Sequence, residues 1–272
     1  MSGFVIKQAP DKRFAHKMDF IQFLKENQSE LIRLKRLEMK SDKDSSQFMF
    51  QNKSMLDFTP KINVTSDIIL VKTAINTTNV IDSHLDLHLP KIWNKTVTDN
   101  PTTLHLESHT REFNKLLDAN AKQYNEKFKF SDYGIATDIV GQANINEAVI
   151  KRKDNPVMFD AYVDGKVKMH SVGMLYVSLS FLYADEDDPV MMANYNEYRS
   201  KAINPEVADE YGYFWGIHEA KKLEGSPVVL ASNPYTPTIW VKDYKPSETD
   251  TSNKNEPSND TQTKNTPLFN LF

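Results

Sequence analysis

The run Lys166-Val-Lys-Met-His-Ser-Val-Gly-Met-Leu-Tyr-Val-Ser-Leu-Ser-Phe-Leu-Tyr183 constrains the fold more than any other part of the chain. Its apolar residues recur with a period near two, the signature of a strand, and its length makes it the spine of a sheet. Strict alternation puts Val167, Met169, Ser171, Gly173, Leu175, Val177, Leu179, Phe181 and Tyr183 on one face. Ser171 is the only hydroxyl on that face before the terminal tyrosine, and Gly173 beside it leaves room for a close backbone or substrate approach. A hydroxyl set in an apolar wall is a candidate nucleophile. It is also the small residue that fits such a wall.

The other segments point to an α+β fold. Lys61–Ala74, Thr102–Ser108 and Pro227–Ser232 carry short strand patterns. Val157–Val163 and Lys166–Tyr183 flank Asp164-Gly165, a hairpin signal. Thr110–Lys122 and Pro189–Ile203 carry helical patterns between them, which suggests a small barrel with helices outside. Residues 17–40 form an amphipathic helical stretch with Phe20, Leu24, Leu31 and Leu34 on one stripe, interrupted at Asn27. Ser41–Ser46 is a linker by composition, and Lys245–Pro267 has no aliphatic or aromatic residue except proline, so that tail is expected to be disordered before the apolar tip Leu268-Phe-Asn-Leu-Phe272. The expected organisation is an N-terminal helical arm and linker over 1–58, a central domain over 59–243 and a polar tail over 244–272.

Composition narrows the chemistry. There is no cysteine, which removes disulfide scaffolds, thiolate metal sites and cysteine nucleophiles. Net charge is -4, which argues against a general nucleic-acid binder, while residues 1–58 carry eleven Lys/Arg against eight Asp/Glu, a modest positive offset that permits docking on an acidic partner. The long uncharged run Met169–Ala184 falls short of the about 20 residues that span a bilayer, and no signal-peptide core precedes the first charges, so a non-secreted protein with no membrane partner is expected. Eight glycines form no phosphate-binding loop, and no cofactor is implied.

Seven histidines supply candidate bases. His170 adjoins Ser171 but points to the opposite face of a strand, which makes it a poor base for that serine. His105 and His109 both belong to the segment Thr102–His109, and spacing does not choose between them. Asp82, His84, Asp86 and His88 alternate, so a strand there would gather four metal-ligand types on one face, as a metal-dependent hydrolase requires. The same segment also has the composition of a loop leading into Pro90.

Four fragments occur in an order that resembles tailed-phage prohead proteases, serine enzymes of the assemblin-like superfamily. Asn79–Trp93 resembles their early strand-loop; Leu104-His-Leu-Glu-Ser-His109 resembles the strand that ends in the catalytic histidine. Met169-His-Ser-Val-Gly-Met174 resembles the nucleophile box, and Leu223-Glu-Gly-Ser-Pro-Val-Val-Leu-Ala-Ser-Asn-Pro234 the late acidic strand. The likeness spans about residues 60–240. Thr110 stands where the family commonly has an acidic residue, which keeps His105 open beside His109, and Gly225-Ser-Pro interrupts the late strand.

The resemblance implies an assemblin-like β-barrel ringed by helices and hydrolysis of peptide bonds. Ser171 would be nucleophile, His109 base and Glu224 the third group, with His218 as the alternative third group because related viral enzymes use a second histidine. It further implies the major capsid protein and scaffold as substrates, self-cleavage, a homodimer or capsid-internal oligomer, and action inside the immature capsid in the host cytoplasm. A non-catalytic capsid-assembly protein is the alternative reading.

Overall fold

The computed structural model describes residues 4–40 and 58–245. The linker 41–46 and the tail with its apolar tip lie outside the described residues, apart from the first residues of the tail. A small hairpin, β1 (Phe4–Ile6) and β2 (Ala9–Phe14), precedes two helices, α1 (Lys17–Glu26) and α2 (Gln28–Leu37). The break between the helices is at Asn27, whose side-chain amide donates to Phe23 O at 2.8 Å and closes α1. Phe20, Leu24 and Leu31 are buried in the same cluster as Trp93, Phe181 and Trp215, so the N-terminal helices pack on the sheet through the expected stripe.

The remaining strands form one mixed sheet. They are β3 (Met39–Lys40), β4 (Lys61–Asn63), β5 (Ile68–Thr77), β6 (Asp86–His88), β7 (Thr102–Leu106), β8 (Leu116–Lys129), β9 (Val140–Lys151), β10 (Met169–Tyr183), β11 (Tyr213–Val228) and β12 (Thr238–Asp243). Their order is β3-β10-β11-β7-β8-β9-β5-β12-β4, with β6 beside β11. Four short helices join them: α3 (Asn94–Asp99), α4 (Pro156–Val163), α5 (Pro189–Arg199) and α6 (Glu206–Tyr211). No described helix is long and apolar enough to cross a membrane.

The fold is α+β, but the expected closed barrel is not formed. Closure would need a ladder between β12 and the start of β10. One bridge, Met169 with Pro237, spans that gap, flanked by His170 N→Thr236 O at 3.0 Å. Thr238 N→Lys168 O at 3.4 Å completes that bridge, and no ladder extends from it among the described residues.

Three local expectations are overturned. Val157–Val163 is helix α4 and not one arm of a hairpin. Asn155 caps it by accepting from Met158 N, Pro156 occupies the first turn, and Gly165 at φ 66° ends it. Gly165 N→Tyr162 O and Lys166 N→Ala161 O are the paired bonds of a Schellman cap, so the Asp-Gly signal marks a helix end. Thr110–Lys122 is not a helix: a 3-10 turn over Phe113–Lys115 leads into β8, where pairing with both β7 and β9 overrides helical propensity. Pro227 and Val228 finish the sixteen-residue β11, and no separate strand follows over Pro227–Ser232.

The two longest strands, β10 and β11, pair antiparallel along their whole length. Their register skips Val177 on β10, and His218 and Leu223 on β11. Each skipped residue is a bulge, and each exchanges the faces of the strand beyond it.

Candidate active site

The bulges decide what shares a face with Ser171. On β10, Val172, Met174 and Tyr176 point into the main core, and after the bulge at Val177 so do Leu179 and Phe181. Ser171 and Gly173 therefore lie on the opposite face, in line with the exposed Leu175 and Val177. The continuous apolar face expected from strict alternation is two half-faces. Ser171 is on the outward half.

Across the pair, Ser171 faces Ser226 and Gly173 faces Glu224. Opposed residues of an antiparallel pair keep their Cα atoms about 4.5–5.5 Å apart and send side chains to the same side. The carboxylate of Glu224 lies directly over Gly173. A Cβ at position 173 would overlap Glu224 Oε1 and stand 2.9 Å from its Cδ. Glycine is thus required at 173 by the acid on the neighbouring strand.

His109 reaches this face from the loop after β7. Thr110 N→Glu107 O at 3.0 Å closes a tight turn in which both central residues, Ser108 (φ 50°) and His109 (φ 58°), are left-handed. That is the mirror-image turn normally built from Asn and Gly, and it strains side-chain-bearing residues. Bonds to β11 hold it: Ser108 N→Pro227 O at 3.2 Å and His109 N→Ser226 Oγ at 3.1 Å. The ring is then fixed by a 2.5 Å contact between His109 Nδ1 and Glu224 Oε1. Ser226 Oγ donates to the other carboxylate oxygen, Oε2, at 2.6 Å. A carboxylate can only accept, so Nδ1 carries the proton and Nε2 is the basic nitrogen of the neutral ring. All three groups are buried.

The structure therefore joins His109 to Glu224 and sets Ser171 on the same face, across from the hydroxyl that ties the pair together. Ser171 Oγ makes no hydrogen bond among the described residues, so no contact between this hydroxyl and the His109 imidazole is formed among them. Ser226 escaped the sequence reading. The signal for it was its i, i+2 relation to Glu224 on one strand face.

His105 is not on this face. It pairs with Gly225, the residue between Glu224 and Ser226, and so points inward. There it belongs to a buried chain of bonds: Lys222 Nζ to Asn146 Oδ1 at 2.6 Å, Asn146 Nδ2 to His105 Nδ1 at 3.3 Å, His105 Nε2 to Tyr162 Oη at 3.0 Å, Tyr162 Oη to His170 Nε2 at 3.0 Å, and His170 Nδ1 to Thr236 O at 3.1 Å. The last acceptor is a carbonyl, so His170 Nδ1 must donate. Tyr162 then donates to His170, His105 to Tyr162, and Asn146 to His105. The chain has one direction and fixes both tautomers. Burial holds both rings neutral. The pKa of His170 falls to about 4, and that of His105 falls well below the usual value, helped by repulsion from His170 and Lys222. Burial likewise brings the Lys222 ammonium down to about 7, opposed by Glu224. His105 is spent as a partner of Tyr162 and does not serve Ser171.

His218 is also excluded as the third group. It is a bulge residue six positions before Glu224, and its Nε2 is 2.8 Å from Ser180 Oγ. Asp82, Asp86 and His88 do converge, with ligand atoms within 4.8 Å of one another. Their neighbour is the fully buried Lys35, whose ammonium is 2.7 Å from Asp86 Oδ1 and 4.6 Å from the Tyr176 ring centre. Tyr176 Oη donates to Asp86 Oδ2 at 2.6 Å. The protein thus supplies its own cation to this cluster, from a residue that the helical pattern had put on the polar side of α2. His84 contacts Lys7 Nζ at 2.8 Å instead.

Comparison with protein-family models, with curated proteins and with solved structures finds no match to this chain.

Proposed function

We propose that this chain is a serine endopeptidase. The observation that carries the reading is the His109–Glu224 contact on the face that bears Ser171. A carboxylate that fixes Nδ1–H leaves Nε2 as a base, and a serine on the facing strand is the nucleophile such a base serves. The contact between Ser171 Oγ and the imidazole is not formed among the described residues, and apo sites commonly hold such a contact open.

The reaction then runs as acyl transfer. Ser171 Oγ attacks the scissile carbonyl as its proton passes to His109 Nε2. The tetrahedral centre expels the amine, which takes that proton, and leaves an ester on Ser171. Water, deprotonated by the same nitrogen, attacks the ester and returns Ser171 to its hydroxyl form. Glu224 stays ionised throughout and stabilises the imidazolium.

The sequence fragments around Asn79–Trp93, His109, Ser171 and Glu224 support a narrower assignment: processing of capsid-protein and scaffold extensions inside an immature phage capsid, by an enzyme that works as a dimer or capsid-internal oligomer. Co-expression with the capsid protein of the same virus tests it. A shortened capsid protein is expected with the wild type and a full-length one with Ser171→Ala. Equal shortening with both removes the assignment.

A further inference from the structure

An apolar cleft of about 450 Å³ opens beside Glu224. Leu104, Leu106, Phe113, Leu116 and Leu223 line it, with Arg111 at its edge. The bulge on β11 is what turns Leu223 towards it: the extra residue lets Glu224 face His109 while its neighbour faces the cleft. Leu104, the parallel-register partner of Glu224, keeps 41% of its surface in solvent, and Phe113 keeps 97%. A concave cluster of large side chains, part of which no described residue covers, marks a place for a ligand group.

The chain itself shows how a peptide addresses this cleft. β3 lies on the outer edge of β10, with Met39 opposite Leu175 and Lys40 opposite Met174. Met39 Sδ accepts from Arg111 Nη2 at 2.7 Å. A strand laid on that edge thus sends one set of alternate side chains to the cleft's rim. An extended peptide pairing with the β10 edge in the manner of Met39–Lys40 presents its alternate side chains to the same rim.

We infer that the cleft formed by Leu104, Leu106, Phe113, Leu116 and Leu223 selects peptide substrates by a large apolar side chain that is not branched at Cβ, Leu, Met or Phe, close to the bond that is cut. The inference rests on the serine-peptidase reading and adds its specificity. Because Glu224 both lines the cleft and holds His109, the selected residue lies near the reacting carbonyl in an extended chain, where two residues span about 6.5–7 Å.

A peptide pool from a digested proteome, incubated with the full chain and sequenced by mass spectrometry, reads the preference. A serine-directed fluorophosphonate reads the nucleophile separately. The expected result is enrichment of Leu, Met and Phe at one fixed position within three residues of the cut, about 10- to 200-fold over Gly or Ser, the range that hydrophobic pockets deliver. Phe113→Asp, at a fully exposed site, and Leu104→Arg should each flatten that enrichment while fluorophosphonate labelling of Ser171 persists. Wild-type cleavage with no apolar preference, or a preference unchanged in Phe113→Asp, overturns the inference and leaves the peptidase reading intact. No labelling and no cleavage by the wild type overturns the peptidase reading, and the cleft's role with it.

Discussion

The two faces of the β10–β11 ribbon carry similar residues in opposite conditions. Outward, His109 meets an acid, and the pair is braced by Ser226 with Ser171 next to it. Inward, a strand's thickness away, His105 and His170 meet a tyrosine hydroxyl and no acid. The outward ring can accept a proton because a carboxylate waits beside it. The inward rings refuse one because burial penalises the charge by more than the Thr236 carbonyl beside His170 offsets. A histidine is made a base or a structural hydrogen-bonding group by its partner, and here the partner is chosen by which side of one ribbon the ring sits on.

The comparison breaks most sharply at Ser171 and His109. Ser171→Ala and His109→Ala are each expected to lower turnover by about a million-fold, as in a triad that works as a unit. Ser171→Ala should leave the unfolding midpoint close to the wild-type value, whereas His109→Ala strands the buried Glu224 carboxylate and should lower it. Turnover of a peptide substrate that survives either change ends the assignment of the outward face.

Glu224→Gln comes next, at about 10⁴-fold in kcat, because the amide cannot stabilise the imidazolium or hold its tautomer. Gly173→Ala should approach the same loss by pushing the carboxylate off its strand. Unaltered kcat in Gly173→Ala would show that the acid's place over β10 is not what orients His109.

The inward face should register in stability. Tyr162→Phe leaves His105 Nε2–H and His170 Nε2 without their shared partner, at a cost on the order of 3 kcal/mol for two stranded buried groups. Urea unfolding should show this, with kcat per folded molecule preserved. Loss of kcat in a folded Tyr162→Phe would join the two faces functionally and refute their separation.

Acid should act on the inward face through the same groups. Above pH 6.5 His170 is neutral in both folded and unfolded chains, so it adds no pH dependence. As pH falls below 6.5 the unfolded chain gains a proton that the buried ring refuses until about pH 4. Stability is thus lost across that window, by about 3 kcal/mol from this ring alone, and His105 acts in the same direction. The test is the urea midpoint between pH 6.5 and 5, before ordinary carboxylates protonate. A flat midpoint there would mean that one of the rings is already charged when folded.

Much of the site was legible residue by residue, and little of it as an arrangement. Ser171 stood out in its strand pattern and His109 at a strand end, whereas Glu224 was singled out by the resemblance of its segment to a family strand. The reason for Gly173 was not: it lies in Glu224, fifty-one positions later. The alternatives His105 and His218 could not be dismissed from spacing, because both sit where a histidine near the ribbon is plausible. Only the inward partner Tyr162 and the bulge at His218 remove them. Asp164-Gly165 misled because a positive φ serves a Schellman cap as well as a hairpin, and the choice depended on Asn155-Pro156 starting a helix upstream.

The amino-acid sequence alone determined that a long strand with a serine and a glycine two apart would exist, that helices would fall among strands, and which residue types were on hand for chemistry. These are properties of period and composition, and they are local. Tertiary structure decided the faces. Single extra residues at Val177 and Leu223 exchange inside and outside along the ribbon, and the His109–Glu224 contact joins positions 115 apart. A strand's period is the same whichever way it faces, so only the register with its neighbour says which side chains meet.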